Sequence, residues 1–236
     1  MDLTYFKELL EQIQLDLTEK QFDQFIKYYE MLVEKNKVMN LTAITEWNEV
    51  VLKHFLDSLT IVKYVQLKDQ RVVDLGTGAG FPGIPLKIAF PDLDFVLVDS
   101  LNKRVKFLQE VINELGLEKI EAIHGRAEDV GRNSKYRESF DLCVSRAVAN
   151  LSTLSEYCMP LVKVGGKFIS YKAGNMDEEL NRSKFAINRL GGKIERVEPF
   201  ELPQSDIQRN FIVINKETKT PKNYPRTAGK PSKEPL

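Results

Sequence analysis

Residues 71–80 read Arg71-Val72-Val73-Asp74-Leu75-Gly76-Thr77-Gly78-Ala79-Gly80, and this stretch decides the fold. A β-rich run ends in alternating glycines, and a helical segment from Pro82 to Phe90 follows. Glycine lets the chain turn sharply and lets its backbone approach a ligand closely. A helix that begins behind such a turn presents free N–H groups to that ligand. The stretch therefore predicts a strand, a glycine loop and a helix that bind a nucleotide-like cofactor.

The glycines fit two cofactor classes. Gly76, Gly78 and Gly80 follow Asp74, and a carboxylate at the strand end suits the cationic amino-acid end of S-adenosylmethionine and would repel a pyrophosphate. Gly78, Gly80 and Gly83 also satisfy the dinucleotide pattern G-x-G-x-x-G, but this pattern starts farther past the strand end. We therefore expect S-adenosylmethionine as the cofactor, bound by Asp74, Gly76, Gly78 and Gly80, with a dinucleotide-dependent oxidoreductase as the alternative.

Two further segments are predicted to border the cofactor. Asp99 ends the strand expected over 94–99, where an acidic residue binds ribose hydroxyls, and this role fits either cofactor. The loop 125–129 follows the third expected strand and borders the adenine in a methyltransferase fold, so Ala127 and Glu128 are candidate adenine contacts. In the alternative interpretation, Glu128 is an ordinary acidic residue in a turn. The residues alone do not decide between these readings.

From residue 71 onward the sequence alternates between strands and helices. This order predicts an α/β fold with a parallel-rich sheet and helices on both faces. Together with the glycine loop, Asp74 and Asp99, it leads us to expect the class I S-adenosylmethionine-dependent methyltransferase type, Rossmann-like, with a mostly parallel seven-stranded sheet. No helix separates the last two expected strands, so we expect one antiparallel edge strand. We divide the chain into an N-terminal helical extension (1–67), the Rossmann-like methyltransferase domain (68–216) and a basic, proline-containing tail (217–236).

The amino-acid composition says more about the cellular location of the protein than about its function. The chain has 34 basic and 34 acidic residues among 236, and this zero net charge neither supports nor excludes an RNA partner. Two cysteines and two histidines stand at scattered spacing, so we expect no metal site. The sequence shows neither a secretory signal nor an apolar stretch of about 18 residues, so we expect a cytoplasmic protein without a membrane partner.

The segment after the fourth expected strand constrains the reaction. Enzymes that methylate exocyclic amino groups commonly carry an Asp or Asn, two prolines and an aromatic residue there, whereas this chain has Ser145-Arg146-Ala147. Methylation of a pyrimidine carbon usually needs a cysteine nucleophile, but Cys143 and Cys158 lie among apolar residues. A methyl acceptor that already carries a free lone pair, such as guanine N7, needs neither that motif nor a cysteine nucleophile. Arg146 is then a candidate for positioning the base or the cofactor, unless it only caps the strand.

Several segments together resemble the bacterial small-subunit ribosomal RNA guanine-N7 methyltransferases, historically called glucose-inhibited division protein B. They are Asp74–Pro82 (DLGTGAGFP), Val98–Arg104 (VDSLNKR), Arg126–Glu128 (RAE), Ser145–Ala147 (SRA), Asn40–Thr42 (NLT) and His54–Ser58 (HFLDS). The resemblance runs over essentially the whole chain. The glycine loop alone is not specific for this family, whereas the combination is.

The resemblance implies a reaction and a set of cofactor contacts. A methyl group would pass from S-adenosylmethionine to N7 of one guanosine in 16S ribosomal RNA near the decoding centre. The partner would be small-subunit ribosomal RNA or the small ribosomal subunit, and we expect a monomer. Gly76, Phe81, Ala127, Glu128 and Arg146 fall at the cofactor positions of the family. Its catalytic residues are less settled, so none is assigned.

Basic residues beside the strand ends are the candidates for RNA contact. Arg126, Lys172 and Arg209 follow strand ends or edges, where open α/β sheets place their ligands. Lys222 and Arg226 lie in the tail, which from Lys216 onward holds six basic and two acidic residues. Its composition slightly favours a poorly ordered end over a basic arm that binds RNA phosphates.

A polar cluster in the extension also has two interpretations. His54, Asp57 and Ser58 lie on one face of an expected helix. We favour a packing cluster that docks the extension on the core. The alternative is contact with the cofactor or the RNA where the extension meets the sheet.

Overall fold

One mixed sheet forms the centre of the protein. The computed structural model describes residues 1–146, 148–174 and 176–236. The strands are β1 (Arg71–Leu75), β2 (Asp94–Asp99), β3 (Ile120–His124), β4 (Phe140–Arg146), β5 (Val162–Ala173), β6 (Gly192–Glu201) and β7 (Gln208–Lys216). Their order across the sheet is β3-β2-β1-β4-β5-β7-β6. Buried, near-continuous apolar runs such as Val72–Val73 place β1 in the middle of the sheet, covered on both faces.

The direction of the strands confirms the predicted fold class. Strands β3, β2, β1, β4 and β5 run parallel to one another, whereas β7 pairs in an antiparallel manner with both β5 and β6. The antiparallel strand therefore lies one position inside this edge of the sheet, and β6 is outermost. The segment 202–207 reverses the chain between β6 and β7, so that β7 fills the space between β5 and β6.

Helices cover both faces of the sheet. They are α1 (Thr4–Gln12), α2 (Glu19–Met39), α3 (Trp47–Val50), α4 (Asp57–Leu59), α5 (Gly83–Ala89), α6 (Asn102–Glu114), α7 (Ala127–Arg132), α8 (Leu151–Cys158), α9 (Asp177–Arg189) and α10 (Lys230–Lys233). A π-helical turn, Val51–Leu56, joins α3 to α4, and a 3₁₀ turn, Thr60–Lys63, continues α4. None of the described helices has the length and apolar character needed to span a bilayer.

The N-terminal extension shares its core with one face of the sheet. Thr18 caps α2 through a reciprocal pair of hydrogen bonds with Gln21. Phe25 of α2 packs against Phe55, with ring centroids 4.9 Å apart. Tyr28 is buried, and its hydroxyl donates to the Ala79 carbonyl oxygen at 2.7 Å. The extension therefore holds the glycine loop directly.

The prediction of a poorly ordered tail is wrong. Residues 217–236 pack on α7 and α8, and Thr220, Tyr224 and Pro231 are buried. The Arg137 guanidinium donates to the Thr220 and Tyr224 carbonyl oxygens at 2.9 and 2.8 Å. These contacts satisfy backbone carbonyl groups of the tail that have no partner in a helix or a sheet. The amino-acid composition of the tail does not predict them.

Candidate functional site

The glycine loop turns at the carboxyl end of β1, as predicted. Gly76 has φ +74°, a conformation in which glycine is favoured, and the Val98 carbonyl oxygen accepts the N–H groups of Gly76 and Thr77 at 2.9 and 3.1 Å. Gly80 faces the protein, since a Cβ there would lie 2.7 Å from the Tyr28 hydroxyl. Loop glycines therefore serve two purposes: Gly76 borders a cavity, and Gly80 allows close packing against the extension.

Asp74 braces the loop from beneath. Its Oδ2 accepts hydrogen bonds from the Thr77 hydroxyl at 2.7 Å and from the Gly83 N–H at 2.8 Å. Its Oδ1 is buried without a hydrogen-bond partner among the described residues. Burial raises the pKa of Asp74 to about 7, although these hydrogen bonds and the Arg146 charge oppose the shift. The predicted contact residue thus lies under the loop and is fully buried.

Asp99 stands at the end of β2 and is almost fully buried. Its Oδ1 accepts the Leu101 N–H at 2.8 Å, and its Oδ2 accepts the Gly78 N–H at 2.9 Å. Arg104 lies 3.5 Å from Oδ2. The Asp99 side chain therefore ties the glycine loop to the start of α6.

A cavity of about 560 Å³ opens between the ends of β1, β2 and β3. The lining residues include five of the predicted ones: Gly76, Asp99, Arg126, Ala127 and Glu128. Asp74, Gly78, Gly80, Phe81 and Arg146 are not among the lining residues. The structure thus gathers the carboxyl-end loops of neighbouring parallel strands around one cavity, the arrangement in which open α/β sheets bind ligands.

Phe81 and Arg146 form a stack behind the loop. The Arg146 guanidinium lies over the Phe81 ring at 5.1 Å, and His54 stacks on the same ring at 4.6 Å. Burial and the Arg146 charge lower the pKa of His54 to about 4, so this imidazole is neutral at physiological pH. Its Nε2 hydrogen-bonds the Thr42 hydroxyl at 2.8 Å. The stack joins the extension, the glycine loop and β4.

Asp57 binds two arginines from different strands. It is buried, and its two carboxylate oxygens lie 3.0 Å from Arg146 of β4 and 3.0 Å from Arg209 of β7. The backbone of the adjacent Ser58 also accepts a hydrogen bond from the Tyr171 hydroxyl at 2.9 Å. These contacts agree with a docking role for the His54–Ser58 cluster, and they fix the direction of the Arg146 side chain.

The candidate RNA-binding residues separate into exposed and paired groups. Arg126 and Lys222 are exposed, and Arg126 stands at the cavity. Lys172 pairs with Glu179 at 2.6 Å, and Arg209 pairs with Asp57. Ala147, which completes the Ser145-Arg146-Ala147 motif, lies outside the described residues.

The prediction for Arg226 needs correction. Its guanidinium forms a bidentate ion pair with Glu156 of α8, whose side chain is fully buried, with Nε–Oε1 and Nη2–Oε2 distances of 2.9 and 2.6 Å. A guanidinium neutralising a buried carboxylate is not free for a phosphate. Arg226 is therefore a structural anchor of the tail.

Ten lining residues were not predicted as site residues. Six of them stand beside predicted ones in the same segments: Leu75, Val98, Ser100, Leu101, Arg104 and Gly125. Four others lie outside every segment that the sequence motifs define: Val148, Tyr157, Gly229 and Ser232. Val148 contacts Gly76, because a Cβ on Gly76 would lie 2.5 Å from its Cγ2. The other three come from α8 and the tail. No local motif marks these residues. The docking of the tail brings Gly229 and Ser232 to the cavity, whereas α8 supplies Tyr157.

Comparisons with known proteins agree with this geometry. The model of the GidB family, described as rRNA small subunit methyltransferase G, matches residues 21–211. A protein named Ribosomal RNA small subunit methyltransferase G from Lachnoclostridium phytofermentans is 53% identical over 100% of this chain and 98% of its own length. One of the same name from Acetivibrio thermocellus is 54% identical over 94% of this chain and 91% of its own. The chain belongs to this family.

Solved structures share the fold of this rRNA small subunit methyltransferase G family member at low identity. TYW2 of M. jannaschii, in complex with AdoMet, covers 74% of this chain and 79% of its own with a TM-score of 0.56 and 14% identity. A putative methyltransferase from Bacillus halodurans covers 69% of this chain and 99% of its own with a TM-score of 0.52 and 14% identity. This likeness confirms the predicted class I methyltransferase fold.

Proposed function

We propose that this chain transfers a methyl group from S-adenosylmethionine to N7 of one guanosine in small-subunit (16S) ribosomal RNA near the decoding centre, acting as a monomer in the cytoplasm. Family membership supports the reaction and the RNA substrate. The observation that carries the proposal is the cavity at the strand ends, which is lined by Gly76, Asp99, Ala127 and Glu128.

The polar groups around the cavity fit S-adenosylmethionine. Asp99 offers a carboxylate to ribose hydroxyls, and the loop at Ala127 and Glu128 borders the adenine side. Asp74, whose Oδ1 has no hydrogen-bond partner among the described residues, does not line the cavity, and we assign its negative charge to the attraction of the ammonium group. When bound, this cofactor supplies an electrophilic methyl group on a sulfonium. Phe81 and Arg146 support the loop from behind, so we assign them an indirect part in cofactor binding.

The chain's residues then have only to position the acceptor. Guanine N7 carries a lone pair in its neutral form, so no base has to remove a proton before attack. Cys143 and Cys158 are both fully buried, and burial raises the pKa of the Cys158 thiol well above its usual value. Neither thiol is a plausible nucleophile. Arg146, held by Asp57, is the residue that we assign to positioning.

A positioning mechanism predicts a flat pH profile for the chemical step. Single-turnover rates with saturating cofactor and RNA should stay constant from about pH 6 to 9, because no titrating acid or base takes part. Cys143→Ser and Cys158→Ser should keep the same rate, although a buried hydroxyl lowers stability by roughly 1–3 kcal/mol. A steep limb that a single substitution removes, or a folded cysteine variant without activity, would contradict the mechanism.

Cofactor affinity, in contrast, should depend on pH through Asp74. Its carboxylate has a pKa of about 7 in the free protein, so it ionises as the pH rises from about 6 to 8. Binding of S-adenosylhomocysteine should tighten over this range, since the ionised carboxylate attracts the ligand's ammonium group. Calorimetry on Asp74→Asn should show no such gain. 5′-Methylthioadenosine, which lacks the amino-acid end, serves as the control ligand and should bind with little pH dependence.

The reaction itself is tested by mapping N7-methylguanosine in ribosomal RNA. Small-subunit RNA from cells that lack the gene should miss one N7-methylguanosine, and a plasmid copy of the gene should restore it. An unchanged modification pattern would reject the proposed substrate. The dinucleotide alternative is tested on the purified protein, whose melting temperature should rise with S-adenosylhomocysteine and not with NAD.

A further inference from the structure

The C-terminal tail reaches the cavity that we assign to the cofactor. Gly229 and Ser232 are part of its lining, next to Glu128 of α7 and Tyr157 of α8. The Gly229 N–H donates to Glu128 Oε1 at 2.8 Å. Gly229 adopts φ +81°, a conformation that places the turn where few other residues would fit without strain. The tail thus touches a residue that the sequence predicts as an adenine contact.

Two anchors hold this turn from both sides. Before it, the Arg226 guanidinium pairs with the buried Glu156, and the Arg226 N–H donates to the same carboxylate at 2.7 Å. After it, the Thr153 hydroxyl donates to the Pro231 carbonyl oxygen at 2.9 Å. Both anchors lie on α8. A buried carboxylate needs its partner, because breaking such a pair leaves an uncompensated charge. The turn is therefore fixed to the body of the protein.

Glu128 is held between the tail and α8. It is buried and accepts the Gly229 N–H, and Tyr157 lines the same cavity beside it. Burial and the nearby Glu128 carboxylate raise the pKa of Tyr157. Without Gly229, one of these contacts is lost and this corner of the cavity opens to water. The position of Glu128 thus depends on Gly229, which lies 101 residues later in the chain.

We propose that the tail forms the adenosine-side wall of the cofactor site. This inference rests on the proposed function, because it assumes that the cavity takes S-adenosylmethionine. Asp99, at the end of β2, marks the ribose position, and the Gly125–Glu128 loop lies beyond it on the side away from Asp74. Gly229 and Ser232 stand on that same side. Arg226 and Glu156 are then positioning residues, which act through the turn that they anchor.

A shortened chain tests the wall directly. Ending the chain at Thr227 keeps the Arg226–Glu156 pair and removes Gly229 and Ser232. Calorimetry should show that S-adenosylhomocysteine and 5′-methylthioadenosine both bind about tenfold more weakly or worse, and by the same factor. An equal loss is expected because both ligands carry the adenosine end. The matched control, Lys219→Ala with Lys233→Ala, removes two exposed charges from the tail and should bind both ligands as the unaltered chain does.

The outcomes separate this inference from the proposed function. If the unaltered chain binds neither ligand, the cofactor assignment fails. If the unaltered chain binds and the folded, shortened chain binds equally well, the wall fails. A shortened chain that loses only RNA affinity and its salt dependence would make the tail an RNA arm and would also overturn the wall.

Hydrogen exchange on the intact chain keeps the inference testable if the shortened chain does not fold. Amides of residues 226–236 should exchange more slowly when S-adenosylhomocysteine is bound, because a ligand against Gly229 and Ser232 suppresses opening of the turn. A tail that serves only as packing would show no such change. Exchange in 226–236 that is insensitive to a ligand that protects Gly76 and Asp99 would overturn the proposal.

Discussion

Replacing Gly76 by valine is expected to abolish S-adenosylmethionine binding in a protein that still folds. Gly76 has φ +74°, where a β-branched residue adds roughly 1–3 kcal/mol of strain. The added Cβ would also lie 2.5 Å from Val148 Cγ2, so the new side chain and Val148 compete for space at the cavity wall. Both effects displace the loop from the cofactor, and calorimetry with S-adenosylhomocysteine should detect no binding.

Gly116→Val is the matched control. Gly116 follows α6 with φ +59°, and a Cβ there meets no heavy atom within 4 Å. The substitution should cause similar backbone strain and a similar loss of melting temperature, with cofactor affinity unchanged. If both folded variants bind normally, the cavity is not the cofactor site. If both lose affinity, binding is sensitive to stability in general and the result does not single out Gly76.

Replacing Arg146 by alanine is expected to lower the single-turnover rate about 10²-fold, because a small misalignment of reacting groups has an effect of this size. Arg146 is mostly buried, lies over Phe81 and is held by Asp57 at 3.0 Å. Its removal takes away both the support behind the glycine loop and the candidate positioning group. The rate should be measured at saturating cofactor and RNA, so that weaker binding does not mask the chemical step.

Arg209→Ala provides the comparison for Arg146. Arg209 pairs with the other oxygen of Asp57, also at 3.0 Å, so either substitution leaves Asp57 with one arginine. The two variants should lose comparable stability, but only Arg146→Ala should lose most of its rate. Equal loss of rate in both variants would show that the ion-paired cluster matters as a whole and that Arg146 has no separate positioning role.

The fold could be predicted because its signals are local. Runs such as 71–75 and 94–99, the first of which is followed by glycines, indicate strands without knowledge of distant contacts. The place of β7 could be predicted only in part, since the short 202–207 connection indicates an antiparallel pair but not which strand is outermost. The order of β6 and β7 in the sheet depends on which of them pairs with β5, and β5 is separated from both in sequence by α9.

The site was harder to predict than the fold, because many of its contacts join residues that are distant in sequence. Asp99 ends β2 and Glu128 comes shortly after β3, and the carboxyl ends of parallel strands meet at one edge of the sheet. The ionic partners of basic residues are remote in sequence: Arg226 pairs with Glu156 and Arg209 pairs with Asp57. From the sequence alone, a basic side chain looks free to bind RNA, because the carboxylate with which it forms an ion pair is not known. The tail therefore resembled a free arm although it is anchored.

Trp47 is the chain's one tryptophan, and its surroundings make it a local reporter. Its indole packs against Tyr29 and Phe55, with ring centroids 4.9 and 6.3 Å away, and its Nε1 donates to the Asp2 carbonyl oxygen. Tryptophan emission during denaturation therefore follows the extension, whereas far-ultraviolet circular dichroism follows the whole backbone. Because Phe55 belongs to the core that also covers the sheet, the two transitions should coincide. An earlier fluorescence transition would reveal an extension that detaches by itself and leaves the glycine loop without Tyr28.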